Sequence, residues 1–371
     1  MASKFRVFTK RFFVFANIIV AFFFLLACLA PYLNPHNWWL ISFLGLAFPF
    51  LLIIILIFMI WWLFVKRKYA LISAISLLIG LKSISVFFAV HGFSKFNTEK
   101  EPGSIRIATW NVARFIELKK NNNEGSHTRL RMMEQIQREN ADILCLQEFH
   151  TSTNPDFYNN IYAVQKLGYP YYYFSFDQDG DRHFYSSIIF SKYPIIDSGI
   201  VRYPRPTINE VLIEADIKVN NDTLRVYTTH LQSLQFRKED YDKIDEIKGG
   251  SDSLLSNSRT IFSKLKRGIV NRSIQADIIH ELLSDSPHPV LFCADLNDIP
   301  NSYTYSTVKG DMQDAFLKKG FGIGRTFSAL SPTLRIDYIF ADHHFKVRQF
   351  KRILKRYSDH YMLVSDVELK K

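Results

Sequence analysis

The first 97 of the 371 residues contain no Asp and no Glu. Three apolar stretches fill that region, Phe12–Leu33, Trp38–Val65 and Ala70–Val90. Each is long enough to cross a hydrocarbon core, which takes roughly 20 helical residues. The alternatives are a secretory signal, since Lys10-Arg11 precedes the first stretch, and core helices of a soluble domain. The length of the first stretch, and the two stretches behind it, predict three retained transmembrane helices in residues 1–90. Trp38, Trp39, Trp61 and Trp62 bracket the second, where indole rings favour the membrane–water boundary.

Charge then separates the two parts of the chain. Nine of the 46 Lys and Arg lie in residues 1–97, leaving 37 against 35 acids in the remainder. The apolar part therefore supplies +9 of the formal +11, and the basic balance is no argument for nucleic-acid binding. Basic flanks mark the cytoplasmic side. Lys4, Arg6, Lys10 and Arg11 precede the first stretch and Lys66-Arg67-Lys68 follow the second, whereas Asn34-Pro35-His36-Asn37 between them has no Lys or Arg. Three crossings then place the rest of the chain outside the cytoplasm, anchored in a bacterial inner membrane or a plasma membrane. Lys82 lies within the third stretch and either snorkels or faces the other spans. The three cysteines, Cys28, Cys145 and Cys293, sit in apolar runs and form no disulfide framework.

Residues 91–103 are polar and predict a tether. About 270 residues follow, enough for one large domain with a substantial core. Strands are predicted at Ser104–Val112, Ile143–Gln147, Ser186–Ser191, Val211–Val219, Thr223–Thr229, Val290–Ala294, Arg335–Phe340 and Tyr361–Val367. Helical patterns cover His127–Asn140 and Arg272–Leu283. Phe236–Ser258 is charged, with Gly249-Gly250 and a Ser-rich run, and reads as a surface loop or a substrate lid.

Acids, amides and histidines collect at the ends of these strands. Glu148 closes the run Ile143-Leu144-Cys145-Leu146, and Asn111 closes the first strand. A charge there is costly to bury without a cation or a partner, and carboxylate and amide oxygens suit a hard cation such as Mg²⁺. Asp295 and Asn297 follow the run Val290-Leu291-Phe292-Cys293-Ala294, and their i, i+2 spacing puts them on one side of an extended segment. His230 and His360 also end strands, and an imidazole there can donate to phosphate or accept a proton. Asp337 is placed to fix the tautomer of one of them. The other nine histidines lack such a setting. Tyr169–Phe174 suggests either base or lipid contact or, as the plainer reading, rings packed in a core. Lys346–Arg356 carries six basic residues and reads chiefly as a solvated strand pair.

In this order and spacing, Thr109-Trp110-Asn111-Val112, Leu146-Gln147-Glu148, Thr229-His230-Leu231, Asp295-Leu296-Asn297, Ile336-Asp337-Tyr338 and Ser358-Asp359-His360 resemble the endonuclease/exonuclease/phosphatase superfamily. The resemblance runs from about Ser104 to Leu369. It implies a four-layer α/β/β/α sandwich, here preceded by transmembrane helices, with the site at one edge of two packed sheets. It implies that Asn111, Glu148 and Asp359 belong to a metal site for Mg²⁺, with Mn²⁺ as a substitute. Asp295 and Asn297 match the pair that positions water and phosphate, His360 the terminal catalytic histidine, Asp337 the acid paired with it, and His230 the second histidine. The family's Gly-Asp-x-Asn motif is Ala294-Asp295-Leu296-Asn297 here. The expected function is a membrane-anchored, metal-dependent phosphoesterase. Its partners are the bilayer and a phosphate ester, either nucleic acid or phospholipid head group; a silent binding module is the remaining alternative. No protein partner is inferable.

Overall fold

The computed structural model describes residues 2–92, 95–121, 124, 126–207, 210–234, 239–240, 242, 254–329 and 331–370. Most of the predicted loop or lid, Phe236–Ser258, falls outside the described residues. The chain divides into two compact units, Met1–Phe88 with Ile299–Thr307, and Ala89–Asp298 with Val308–Lys371.

In the smaller unit, α1 (Ala2–Ala27) and α2 (Pro35–Val65) are the long helices. The most apolar 18-residue stretches within Lys4–Tyr32 and Pro35–Val65 have mean hydropathies of 2.8 and 3.0, and 28% of each is buried. Large apolar side chains stay uncovered by protein, Phe8, Phe15, Ile57 and Phe64 among them. The third apolar stretch departs from the expected single span. It forms α3 (Ala70–Ile79) and α4 (Leu81–Ser85), separated at Gly80. Gly80 is there because Phe24 packs against its backbone; a Cβ would lie 2.6 Å from Phe24 Cε1. Asn17, fully buried on α1, accepts from Ser73 Oγ on α3 at 3.0 Å. The segment Ile299–Thr307 joins this unit through Asn301, whose Nδ2 donates to the Ala27 carbonyl at 3.0 Å.

The larger unit contains two six-stranded sheets. The first runs in the order β13 (Phe345–Ile353), β14 (Met362–Leu369), β2 (Ser104–Asn111), β3 (Ile143–Ser152), β5 (His183–Ser191) and β4 (Tyr171–Phe174). The second runs β10 (Gln313–Asp314), β12 (Asp337–Ala341), β9 (Val290–Asp295), β8 (Asp222–His230), β7 (Val211–Val219) and β6 (Ile195–Arg202). Each has one parallel pair among antiparallel neighbours, β2 with β3 and β8 with β9. Helix α5 (Thr128–Glu139) covers the outer face of the first sheet, burying Met132, Met133 and Ile136 against Trp110, Leu144 and Leu146. Helix Leu254–Ser284 meets the outer side of the second, where Tyr227 donates to the Leu282 carbonyl at 3.4 Å. The four-layer sandwich expected from the sequence is the observed fold.

Between the sheets, alternate strand residues interlock. Ile105 and Ile107, Ile143 and Cys145, Leu224 and Val226, Leu291 and Cys293, and Ile339 and Ala341 all enter one buried cluster. Because strand side chains alternate in direction, the next residues on these stripes face the same way. Those residues are polar: Thr109 then Asn111, Gln147, Thr228 then His230, Asp295, and Asp337. The interior thus changes from hydrocarbon to hydrogen bonding along each strand. Gln147 Nε2 marks the change, donating to Thr109 Oγ1 at 2.9 Å and to Thr228 Oγ1 of the opposite sheet at 2.8 Å.

The predicted tether is docked on this unit. Ala89–Val90 form β1 and pair with β11 (Phe321–Gly322). Asn97 N–H donates to Gln349 Oε1 at 2.8 Å, and Arg106 donates to the Thr98 and Asn97 carbonyls. Of the Tyr169–Phe174 rings, Tyr169 and Phe174 are buried at the outer face of the first sheet and Tyr173 packs at the inner one, while Tyr171 is exposed. In the basic segment, Arg348 pairs with Glu368 and Lys351 with Glu139.

Candidate active site

Five of the polar strand ends converge because they continue the stripes that build the core. Glu148 does not follow that rule. Direct alternation from Leu144 and Leu146 would turn it toward α5. A register shift between Leu146 and Phe149, with Glu148 at φ +49°, re-aims its carboxylate. Asn111 Nδ2 then donates to Glu148 Oε1 at 3.1 Å and to Asp295 Oδ2 at 3.0 Å, while its Oδ1 accepts from Ala113 N–H at 3.0 Å. One amide therefore joins the acids of two sheets.

Asp295 is fully buried. Asn297 N–H donates to its Oδ1 at 2.9 Å, an arrangement reached with Asn297 at φ +51°. Asp295 Oδ2 lies 3.6 Å from His360 Nδ1 and 3.7 Å from His230 Nε2, so the carboxylate stands between the two imidazoles.

His360 Nδ1 donates to Asp337, with both carboxylate oxygens at 3.0 Å. Its backbone is fixed by the Trp110 indole, which donates to the His360 carbonyl at 3.0 Å, and by Ser358 Oγ, which accepts from His360 N–H at 3.1 Å. Burial alone would lower the His360 pKa; Asp337, Asp295 and Asp359 reverse this and push it up to about 10. The ring is cationic at neutral pH, and its Nε2 has no hydrogen-bond partner among the described residues.

His230 Nδ1 lies 3.1 Å from Glu210 Oε1, and Nε2 lies 2.9 Å from Asn297 Nδ2. Burial lowers its pKa as well, and Glu210, Asp295 and Glu148 push it up to about 10. The amide contact opposes that pull. Asn297 Nδ2 also donates to the Leu231 carbonyl at 2.9 Å, so turning the amide over would set oxygen against oxygen. In this arrangement Nε2 must offer a lone pair, and His230 is the neutral tautomer with hydrogen on Nδ1.

Seven of the eight predicted residues are thus brought together: Asn111, Glu148, His230, Asp295, Asn297, Asp337 and His360. Asp359 is exposed and accepts from Ser358 Oγ at 3.1 Å, with no contact to Glu148 among the described residues. Sequence reasoning missed Glu210. Its one signal was an acid immediately before the apolar strand Val211–Val219. It also missed Gln147, Thr228 and Thr326; Thr326 Oγ1 accepts from Asp337 N–H at 3.1 Å.

The donor set fits a hard divalent cation at Glu148. That carboxylate keeps 28% of its side-chain surface exposed, and carboxylate oxygen suits a hard cation. Asn111 turns its N–H toward the acids and so orients Glu148 rather than offering oxygen. Asp295, Asp337 and His360 also lie close enough to share an ion. His360 Nδ1 is hydrogen-bonded to Asp337 and 3.6 Å from Asp295, and the group is buried, which suits a charge-paired imidazole better than a cation.

A family model described as "Endonuclease/Exonuclease/phosphatase family" matches residues 108–360, from the first strand to the terminal histidine. The chain belongs to the endonuclease/exonuclease/phosphatase family. The hydrolases of this family act on phosphate esters, generally with divalent metals. Residues 10–87 match a second model, described as "Domain of unknown function (DUF8431)". Among solved structures, an endonuclease/exonuclease/phosphatase from Beutenbergia cavernae DSM 12333 is similar at 19% identity and a TM-score of 0.54, over 72% of each chain. The catalytic domain of human Nocturnin is similar at 18% identity and a TM-score of 0.50, over 72% of this chain and 94% of that one. Both likenesses are of fold. No curated protein matches the chain.

Proposed function

We propose that the chain is a membrane-anchored phosphoesterase that hydrolyses phosphodiester or phosphomonoester bonds with a divalent cation, Mg²⁺ or Mn²⁺, held at Glu148. The observation that carries this reading is Asp295, buried between His360 and His230 and held there by Asn111 and Asn297. A water entering between the imidazoles meets Asp295 Oδ2, which takes its proton as the oxygen attacks phosphorus. The new P–O bond forms as the ester bond breaks, and the leaving oxygen takes up a proton from solvent while Asp295 later returns its own to solvent. His360, charged through Asp337, donates from Nε2 to a phosphoryl oxygen. His230, fixed by Glu210, holds the Asn297 amide against that same face. When bound, the cation supplies charge neutralisation at the phosphoryl group.

Anchoring rests on the two long apolar helices and their uncovered surface. Arg6, Lys10 and Lys66 line one pocket with Trp61 and Trp62, so the basic ends of α1 and α2 coincide. With those ends cytoplasmic, the catalytic unit lies outside if α3 and α4, broken at Gly80, together make the third crossing; two crossings alone would return the chain to the cytoplasmic side. The anchor also favours a second substrate class, phospholipid head groups, beside nucleic acid. Plasmid nicking and head-group release from phospholipid vesicles, run on the full-length protein with a His360→Ala control, separate the two. Activity toward neither, or activity that persists in the control, would overturn the proposal.

A further inference from the structure

The sequence reading set aside His280, His288, His343 and His344 because none closes a polar strand end beside the acid set. The fold collects all four around one cavity of about 360 Å³. It lies where β9 begins and β12 ends, the opposite end of both strands from Asp295 and Asp337. Five residue steps along β9 separate the two ends, or about 17 Å.

At its rim, Asp342, His343 and His344 offer donor atoms that all lie within 4.8 Å of one another. Asp342 is positioned by the backbone: Oδ2 accepts from Val290 N–H at 2.7 Å and Oδ1 from His344 N–H at 2.9 Å. Its Oδ2 also lies 3.0 Å from His344 Nδ1. A carboxylate fixed beside one ring nitrogen sets the tautomer and directs the other nitrogen outward, as second-sphere acids do for metal-bound histidines. The His343 and His344 rings are 3.8 Å apart, near enough for both to reach one ion. Half of the His344 side chain is exposed, leaving open coordination positions on the cavity side. His280 and His288 line that same side, His288 with its Nε2 3.7 Å from Asp216 Oδ2.

We infer that His343 and His344, with Asp342 orienting His344 from the second sphere, form a second metal site, selective for a borderline divalent ion such as Zn²⁺ and separate from the phosphoesterase centre. Imidazole nitrogens favour Zn²⁺ over Mg²⁺, which prefers oxygen. Occupancy would tie the turn between β12 and β13 to the start of β9.

The test is zinc binding by the full-length protein, stripped with chelator and measured in excess Mg²⁺ to fill hard oxygen sites. The wild type is expected to bind one more Zn²⁺ per chain than a His343→Gln/His344→Gln variant that keeps its phosphoesterase activity. Zinc should raise the melting temperature of the wild type and leave that of the variant unchanged. Asp342→Asn, nearly isosteric, is expected to weaken zinc roughly 10- to 100-fold. Equal zinc stoichiometry in the wild type and the folded double variant would overturn the inference, as would unchanged affinity in Asp342→Asn.

Discussion

His360 Nδ1 lies 3.0 Å from both carboxylate oxygens of Asp337, and neither side chain is more than 6% exposed. With no amide donor at its Nε2 among the described residues, this buried imidazole stays charged against its carboxylate, so it can donate to phosphate across the neutral range. Asp337→Asn keeps the shape and removes the charge. It is expected to lower kcat by about 10²- to 10⁴-fold, the usual contribution of a positioned proton donor, with a smaller change in KM. It should also bring the His360 titration down from about 10 toward the ordinary histidine range, which ¹⁵N-detected NMR of the labelled ring reads directly. A variant with unchanged kcat would remove Asp337 from the account.

The reach of the sequence follows from how strands use alternation. Asn111, His230, Asp295 and Asp337 were legible because each ends an apolar run. Parity then aims them into the gap that Ile107, Val226, Cys293 and Ile339 fill further along. Glu148 was legible as the polar end of an apolar run, but the bulge that aims it was not visible, since a two-residue irregularity leaves no compositional mark. Glu210 was missed because it precedes its strand and acts only through His230. β6 was missed because it is an edge strand with mostly exposed residues and a central Gly199. The break in the third apolar stretch is set by Phe24, far away in sequence, and the docking of the tether by Gln349 and Arg106.

Arg106 and Asp366 form a buried bidentate pair, Nε–Oδ1 at 2.7 Å and Nη2–Oδ2 at 2.9 Å. Removing one partner strands the other charge in the interior. Asp366→Ala is expected to cost about 3–5 kcal/mol, read as a large drop in melting temperature. A loss under about 1 kcal/mol would show that water reaches Arg106 and relieves it.

Glu117 supplies a distant cap for α5. The residue before the helix, His127, makes no side-chain cap, and Glu117 Oε1 accepts instead from Thr128 N–H at 2.6 Å and Arg129 N–H at 3.3 Å. Burial is the largest single influence and raises the Glu117 pKa, but the hydrogen bonds from Ser126, Thr128, Arg129 and Asn121 together outweigh it and hold the pKa below its ordinary 4.5. A carboxylate with a depressed folded-state pKa stabilises fully above 4.5 and loses that contribution as pH falls through its folded value. Glu117→Ala is expected to cost about 1 kcal/mol at neutral pH and progressively less under acid. Denaturation across pH 3–7 checks this; a pH-independent difference would contradict it.

The anchor makes its own prediction. The full-length chain should remain with membranes after alkaline carbonate washing, and a reporter fused after Lys371 should score as extracytoplasmic. Gly80→Val is expected to reduce the membrane-inserted yield, because its side chain meets the Phe24 ring. A cytoplasmic reporter score would reverse the orientation.

Asp295→Asn tests the central claim most directly. The full-length protein and the variant would be compared for hydrolysis of bis(p-nitrophenyl) phosphate at saturating Mg²⁺ or Mn²⁺, with melting curves to verify folding. The account predicts metal-dependent turnover by the wild type and a loss of at least about 10²-fold in the folded variant. Turnover that survives the substitution, or that needs no divalent cation, would contradict it.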